Sequence, residues 1–351
     1  MNTVKPEPIA LFCLTPGGVA LARTLHKAVP MTCFTSEALL TDGFLPFNGG
    51  FANSLRQAFR DYSALVVIGA TGIVVRVLAP VITDKLSDPA VVVIDECGQH
   101  AISLLSGHAG GANALTRHLA GLLGADPVIT TATDVNDLAA LEMLAQQLDA
   151  QIPDFRTAVK TVNQMLVSQK RVGLWWDDAF LSAASSCDTR GFIPVRSLDA
   201  LPALDALVCV SILAEQPPLP VPVFRLVPRR VIAGIGCRRD TPFSLMTTLL
   251  HRQLAASGLD PLALREIGSI SLKQNEPGLL ELAASLRVPF QIFTADELRR
   301  YEHHFPGSDF VRQTTGVGSV SGPAAWLMSQ GQLIGETLRE QGVTITLGVS
   351  H

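Results

Sequence analysis

The residues best able to do chemistry gather in one stretch, Gly107-His108-Ala109-Gly110-Gly111-Ala112-Asn113. Its glycines leave backbone N–H groups bare, and its one imidazole can take up or release a proton near neutral pH. Residues 101–105 before it read as a strand and 115–123 after it as a helix. A strand-to-helix turn of this kind favours an anion, through the helix dipole and the unpaired donors together. His108 is the candidate catalytic group. Gly107, Gly110, Gly111 and Asn113 are candidate substrate contacts.

Neighbouring segments end in related chemistry. The apolar run 91–94 leads into Asp95-Glu96, and Val128-Ile129 leads into Thr130-Thr131-Ala132-Thr133-Asp134. In a parallel sheet such ends converge on one edge, where open α/β sheets bind ligands. Asp95 is then the candidate to orient the imidazole, Thr131 and Asp134 are substrate contacts, and Glu96 reads as a solvated turn residue. A triad of Ser106, His108 and Asp95 is disfavoured, because Ser106 and His108 stand two apart and no G-x-S-x-G elbow is present. Gly72, Arg76, Lys85, Cys237, Arg238, Arg239 and Lys273 lie at expected ends or turns. Cations there cap carbonyls or bind carboxylates.

The elements that must position these groups follow from the hydrophobic pattern. Residues 9–14, 31–34 and 65–68 read as strands, and 19–27 as an amphipathic helix, a βαβ opening. Pro16-Gly17-Gly18 lacks the G-x-G-x-x-G of a dinucleotide site. Residues 73–86 look helical, with Pro80 kinking or breaking them. Asp95-Glu96-Cys97-Gly98-Gln99 reads as the turn of a hairpin between 91–94 and 101–105, and 136–148 reads as a helix. From residue 150 the chain becomes loop-rich. Gln216–Pro222 reads as a proline-rich linker or a stiff extended edge. From Arg230 a further α/β series begins, with strands at 231–235, 266–271, 289–293 and 344–349 and helices at 242–257, 277–286 and 296–303. The expected fold is α/β, with two open parallel-sheet units joined by a smaller middle region. The expected domains are 1–149, 150–225 and 226–351.

Composition narrows the function. The chain has 351 residues, 48% hydrophobic and 17% charged, with a net charge of −4. No apolar run approaches the roughly 20 residues of a membrane span. The acidic balance and the lack of a basic stripe speak against nucleic acid. The opening residues are polar, so the expected location is cytoplasmic. Six cysteines without a C-x-x-C pair offer no zinc or redox motif.

Longer runs resemble a known family. Gly69-Ala70-Thr71-Gly72-Ile73-Val74-Val75-Arg76, residues 84–93, 104–113 and 127–134 resemble the cobalt-precorrin-5A hydrolase family of anaerobic cobalamin biosynthesis. Gly234-Ile235-Gly236-Cys237-Arg238-Arg239 and 278–283 resemble its C-terminal domain. One departure stands at Gly322, where the family often carries a glutamate. The resemblance implies a cobalt-bearing tetrapyrrole substrate whose ring A lactone is opened by water, giving cobalt-precorrin-5B and acetaldehyde. It implies no cofactor, since cobalt arrives on the substrate, and no protein metal site. Neighbouring pathway methyltransferases and a second copy of the chain are candidate partners. The competing reading is a carrier of the same tetrapyrrole that catalyses nothing.

Overall fold

A computed structural model describes residues 7–215 and 218–350. The chain forms two compact units, Met1–Met143 and Leu144–His351.

The first unit holds seven strands: β1 (Glu7–Cys13), β2 (Thr32–Thr35), β3 (Phe44–Pro46), β4 (Tyr62–Ile68), β5 (Ala90–Ile94), β6 (His100–Leu105) and β7 (Asp126–Val128), in the order β3-β2-β1-β4-β5-β6-β7. Successive residues of a strand face opposite sides. Leu11, Val66, Ile68, Val92 and Ile94 accordingly join one core with Val19, Ala22, Leu25 and Leu119. Phe12, Leu65, Val67, Val91 and Val93 join the other with Leu55, Phe59, Val74 and Leu78. Helices Pro16–Ala28 and Ala112–Leu123 thus cover one face, and Phe51–Asp61 and Thr71–Leu78 the other. Burial on both faces explains the near-continuous Val/Ile runs of β4 and β5.

The hairpin read at 95–99 is present: β5 and β6 pair antiparallel, Ile94 opposite Ala101. β6 and β7 pair parallel to each other. Both therefore run against β1–β5, and the ends of β5 and β6 point to opposite edges of the sheet. That splits the expected site, because Asp95 and His108 lie at different edges. Pro80 ends the helix at Leu78 instead of kinking a longer one. The helix expected at 136–148 is confined to Leu141–Gln147.

The second unit contains two sheets. The middle one has β8 (Ala150–Gln151), β9 (Val172–Trp176), β10 (Ile193–Val195), β11 (Ala206–Val210) and β12 (Val223–Pro228), ordered β10-β9-β11-β12-β8, with β8 antiparallel. The proline-rich segment is not a linker between domains. Gln216 and Pro217 lie outside the described residues, and the rest feeds β12 of the same sheet. Leu219 and Val221 pack on Val195, Leu207 and Cys209. Pro222, which has no N–H, still accepts from Leu207 N at 2.9 Å. A boundary at 225/226 would cut β12.

The last sheet has β13 (Val231–Cys237), β14 (Leu264–Ile270), β15 (Phe290–Phe293), β16 (Leu333–Glu340) and β17 (Val343–Val349), ordered β15-β14-β13-β17-β16. β13, β14 and β15 are parallel, while β17 is antiparallel to both of its neighbours, so this sheet too is mixed. Gly234 lets helix Ser321–Ser329 lie against β13: a Cβ there would stand 2.0 Å from Ser321 O. Within the unit, Asp260 N donates to Ile212 O at 2.8 Å and Ala214 N to Gly258 O at 2.9 Å, tying the two sheets together. Among the described residues no helix is long and apolar enough to cross a membrane.

Candidate functional site

The edge at the ends of β6 and β7 carries the one tight group of ionisable side chains that sequence motifs pointed to. Ser106, at φ 57°, turns the chain out of β6 and anchors its Oγ on Asp88 O at 2.9 Å. Gly110 then passes so close that a Cβ would stand 2.4 Å from Ser106 Cβ, and Gly111 takes φ 86° as the helix N-cap. The turn projects His108 toward the residues after β7 and toward helix Leu141–Gln147.

His108 is held by two carboxylates. Its Nδ1 lies 2.9 Å from Glu142 Oε1 and its Nε2 lies 2.8 Å from Asp134 Oδ2, with the Thr133 hydroxyl 3.1 Å from Nε2. The three side chains are only 15%, 8% and 17% exposed, for His108, Glu142 and Asp134. The Glu142 hydrogen bond raises the imidazole pKa against the opposing effect of burial, and the Asp134 bond adds to it. Burial would raise the Asp134 carboxyl, yet its bonds to Arg117 and His108 prevail and hold it below its ordinary value. Both effects favour the imidazolium, which can donate from both nitrogens to the two carboxylates.

A second layer fixes this clamp. Asn113 Nδ2 donates to Asp134 Oδ2 at 2.9 Å and to Thr131 Oγ1 at 2.7 Å, and Ser103 Oγ donates to Asn113 Oδ1 at 2.7 Å. Arg117 pairs with the other oxygen of Asp134. Gly107 leaves room for the Asn113 amide, 2.8 Å from where its Cβ would be.

Several expectations change. The orienting contact expected of Asp95 is made by Glu142 and Asp134. Asp95 instead closes its own hairpin, accepting from Cys97 N at 2.9 Å and His100 N at 2.5 Å. Those backbone donors, with Gln99, outweigh burial and lower its pKa. The turn's donors are also less bare than expected: Gly111 N, Ala112 N and Asn113 N donate to His108 O, Ser106 O and Gly107 O. Thr131 and Asp134 belong to the clamp. Lys85 is exposed, on a loop at the His108 edge that Asp88 closes by accepting from Thr83 and Asp84 N–H groups. Gly72 and Arg76 sit on the helix that starts from the opposite edge, where Arg76 donates to Gly72 O at 3.2 Å.

In the second unit, Cys237, Arg238, Arg239 and Lys273 meet near the ends of β13 and β14. Arg238 and Arg239 are exposed and form no ion pair among the described residues. Lys273 is already paired, its Nζ 2.7 Å from Glu276 Oε2, with both side chains largely buried. Its charge is therefore spent within the protein. Burial pushes the Cys237 thiol up to about 11, although Lys273 lowers it, so it stays protonated at neutral pH. All six cysteines are free. Among the described residues no three His, Cys, Asp or Glu side chains group to hold a metal ion.

Glu142 is the partner that sequence reasoning missed. It stands 34 residues from His108, so no local spacing announces it.

An α/β protein whose first sheet ends in an imidazole clamped by two carboxylates belongs to the class equipped for proton transfer. Family models place it further. The cobalamin synthesis G N-terminal model matches residues 53–134, the cobalamin biosynthesis central region 139–228 and the cobalamin synthesis G C-terminus 231–348. The cobalt-precorrin-5A hydrolase of Salmonella typhimurium is 72% identical over 351 residues, covering 100% of both chains. That of Priestia megaterium is 30% identical, covering 97% of this chain and 94% of its own. The chain belongs to the cobalt-precorrin-5A hydrolase family of cobalamin biosynthesis.

Proposed function

We propose that the chain hydrolyses the ring A lactone of cobalt-precorrin-5A, giving cobalt-precorrin-5B and acetaldehyde. Full-length identity to the Salmonella typhimurium hydrolase supports the substrate. The observation that carries the chemistry is the doubly paired His108.

Water adds to the lactone carbonyl and loses a proton to solvent, the ester C–O bond breaks, and the leaving alkoxide needs a proton. The His108 imidazolium supplies it. The expected role was to take a proton from water and return it to the leaving oxygen; with both ring nitrogens engaged and the pKa raised, the ring starts as the acid. Neutral after that transfer, the ring keeps one N–H on a carboxylate, and its other nitrogen can take the proton of the freed hydroxyl. That oxygen then becomes the aldehyde carbonyl, its carbon parts from the macrocycle, and the macrocycle keeps the electron pair and takes a proton. Two opposite transfers suit an imidazole better than a carboxylate, because its pKa lies nearer the working pH. Arg238 and Arg239, unpaired and exposed, are suited to the acetate and propionate arms. Cobalt enters as part of the substrate, and no cofactor is invoked.

The test is acetaldehyde release from purified cobalt-precorrin-5A by wild type and by His108→Ala and His108→Gln. A positioned acid or base contributes about 10²–10⁴-fold, and both variants should lose that much kcat while circular dichroism stays native. A folded His108→Ala protein with wild-type turnover removes His108 from the reaction. A wild type that binds the tetrapyrrole and releases no acetaldehyde is a carrier.

A further inference from the structure

We propose that His304 is an axial ligand to the cobalt of the tetrapyrrole, an assignment that rests on the substrate reading above. The His304 ring lies 4.3 Å from Trp326 between centroids and within 12° of parallel, so the indole covers one imidazole face. His303 crowds the ring as well, 3.9 Å away at 41°. With one face stacked on the indole and His303 crowding the ring, the edge that carries the nitrogens is the part suited to a ligand. The residue is exposed, and neither nitrogen has a hydrogen-bond partner among the described residues.

The indole behind it is firmly held. Trp326 belongs to helix Ser321–Ser329, whose Ala324 packs with Val320, Ile270 and Leu298 in a buried cluster. Gly331 lies under the indole, and Phe305 meets it edge-on at 6.1 Å and 82°. Phe305 fits only because residue 322 is glycine: a Cβ there would stand 2.4 Å from the ring. The departure noted at Gly322 is thus what admits the ring that buttresses Trp326 and, through it, His304.

A neutral imidazole is a good ligand for cobalt. A ring whose plane is already fixed loses little freedom on ligation. Free metal ions are a poorer match, since no third His, Cys, Asp or Glu joins His303 and His304 among the described residues. A cobalt ion already held by a macrocycle needs only one more donor along its axis, and a single outward-facing imidazole edge supplies that.

The probe is cob(II)inamide, a cobalt corrinoid without a nucleotide base, bound to the full chain and read by electron paramagnetic resonance. Wild type and His303→Ala should show the triplet splitting of one axial nitrogen on the cobalt lines. His304→Ala should lose it and bind the corrinoid about tenfold or more weakly. Absence of the triplet in wild type overturns the proposal, as does its persistence in His304→Ala or its loss in His303→Ala. Acetaldehyde release from cobalt-precorrin-5A by the same wild-type preparation, free of cobinamide, separates the two readings. Turnover without the triplet removes the axial contact and keeps the hydrolase; the triplet without turnover keeps the contact and removes the hydrolase.

Discussion

Replacing Glu142 by Gln takes one negative charge from His108 and leaves an acceptor of the same shape. The two side chains are 8% and 15% exposed, so solvent screens the pair weakly. A hydrogen bond to a charged group stabilises by about 1.5–3 kcal/mol and a neutral one by about 0.5–1.5 kcal/mol. The exchange therefore costs about 1–1.5 kcal/mol wherever the imidazole is protonated. Asp134 and Thr133 keep the ring in place. Because the Glu142 hydrogen bond is the largest influence on the imidazole, His108 must titrate at lower pH in Glu142→Gln. A raised pKa contributes stability that is fully present below the unfolded value of about 6.5 and is lost as pH rises through the folded one. The cost of the substitution should thus be complete in mildly acidic solution and fade on the alkaline side. The alkaline limb of the rate profile should move to lower pH along with the titration. NMR titration of the His108 ring, urea unfolding across pH and acetaldehyde release measure the three effects. If His108 titrates alike in both proteins, or the cost is independent of pH, the clamp is no ion pair and the acid role fails with it.

Changing Arg238 and Arg239 together to Ala should raise KM more than it lowers kcat, because a carboxylate contact exists in ground and transition state alike; steady-state kinetics reads the split. Lys273→Ala should instead act on stability, by about 3–5 kcal/mol in urea unfolding, since it strands the buried Glu276 carboxylate. Gly110→Ala should cost about 1–3 kcal/mol by forcing a Cβ into Ser106, and turnover should fall as His108 loses its aim. Asp95→Asn should leave kcat unchanged, because Asp95 closes the β5–β6 hairpin at the far edge of the sheet; a large fall in kcat with a native fold would return Asp95 to the site.

The sequence by itself determined the parts whose physics is local. The Val/Ile runs of β4 and β5 can only be buried on both faces, which declares an α/β sheet before any contact is known. Pro80 stops its helix because it lacks an N–H and collides with the preceding turn. Gly110 and Gly111 mark the turn that aims His108, since one tolerates no Cβ and the other needs a positive φ. Tertiary structure alone decided what His108 touches. A hairpin at 95–99 reverses β6 and β7, and that reversal sends Asp95 to one edge and His108 to the other. It was legible as a turn, but its consequence for the site depends on strand order, which no local pattern encodes. Glu142 and Asp134 reach the imidazole from 34 and 26 residues away. Lys273, which looked free for substrate in the sequence, is spent on Glu276, and the proline run that looked like a linker packs into the middle sheet. A side chain's charge is written in the sequence, but whether that charge is available depends on its neighbours, and the fold supplies those.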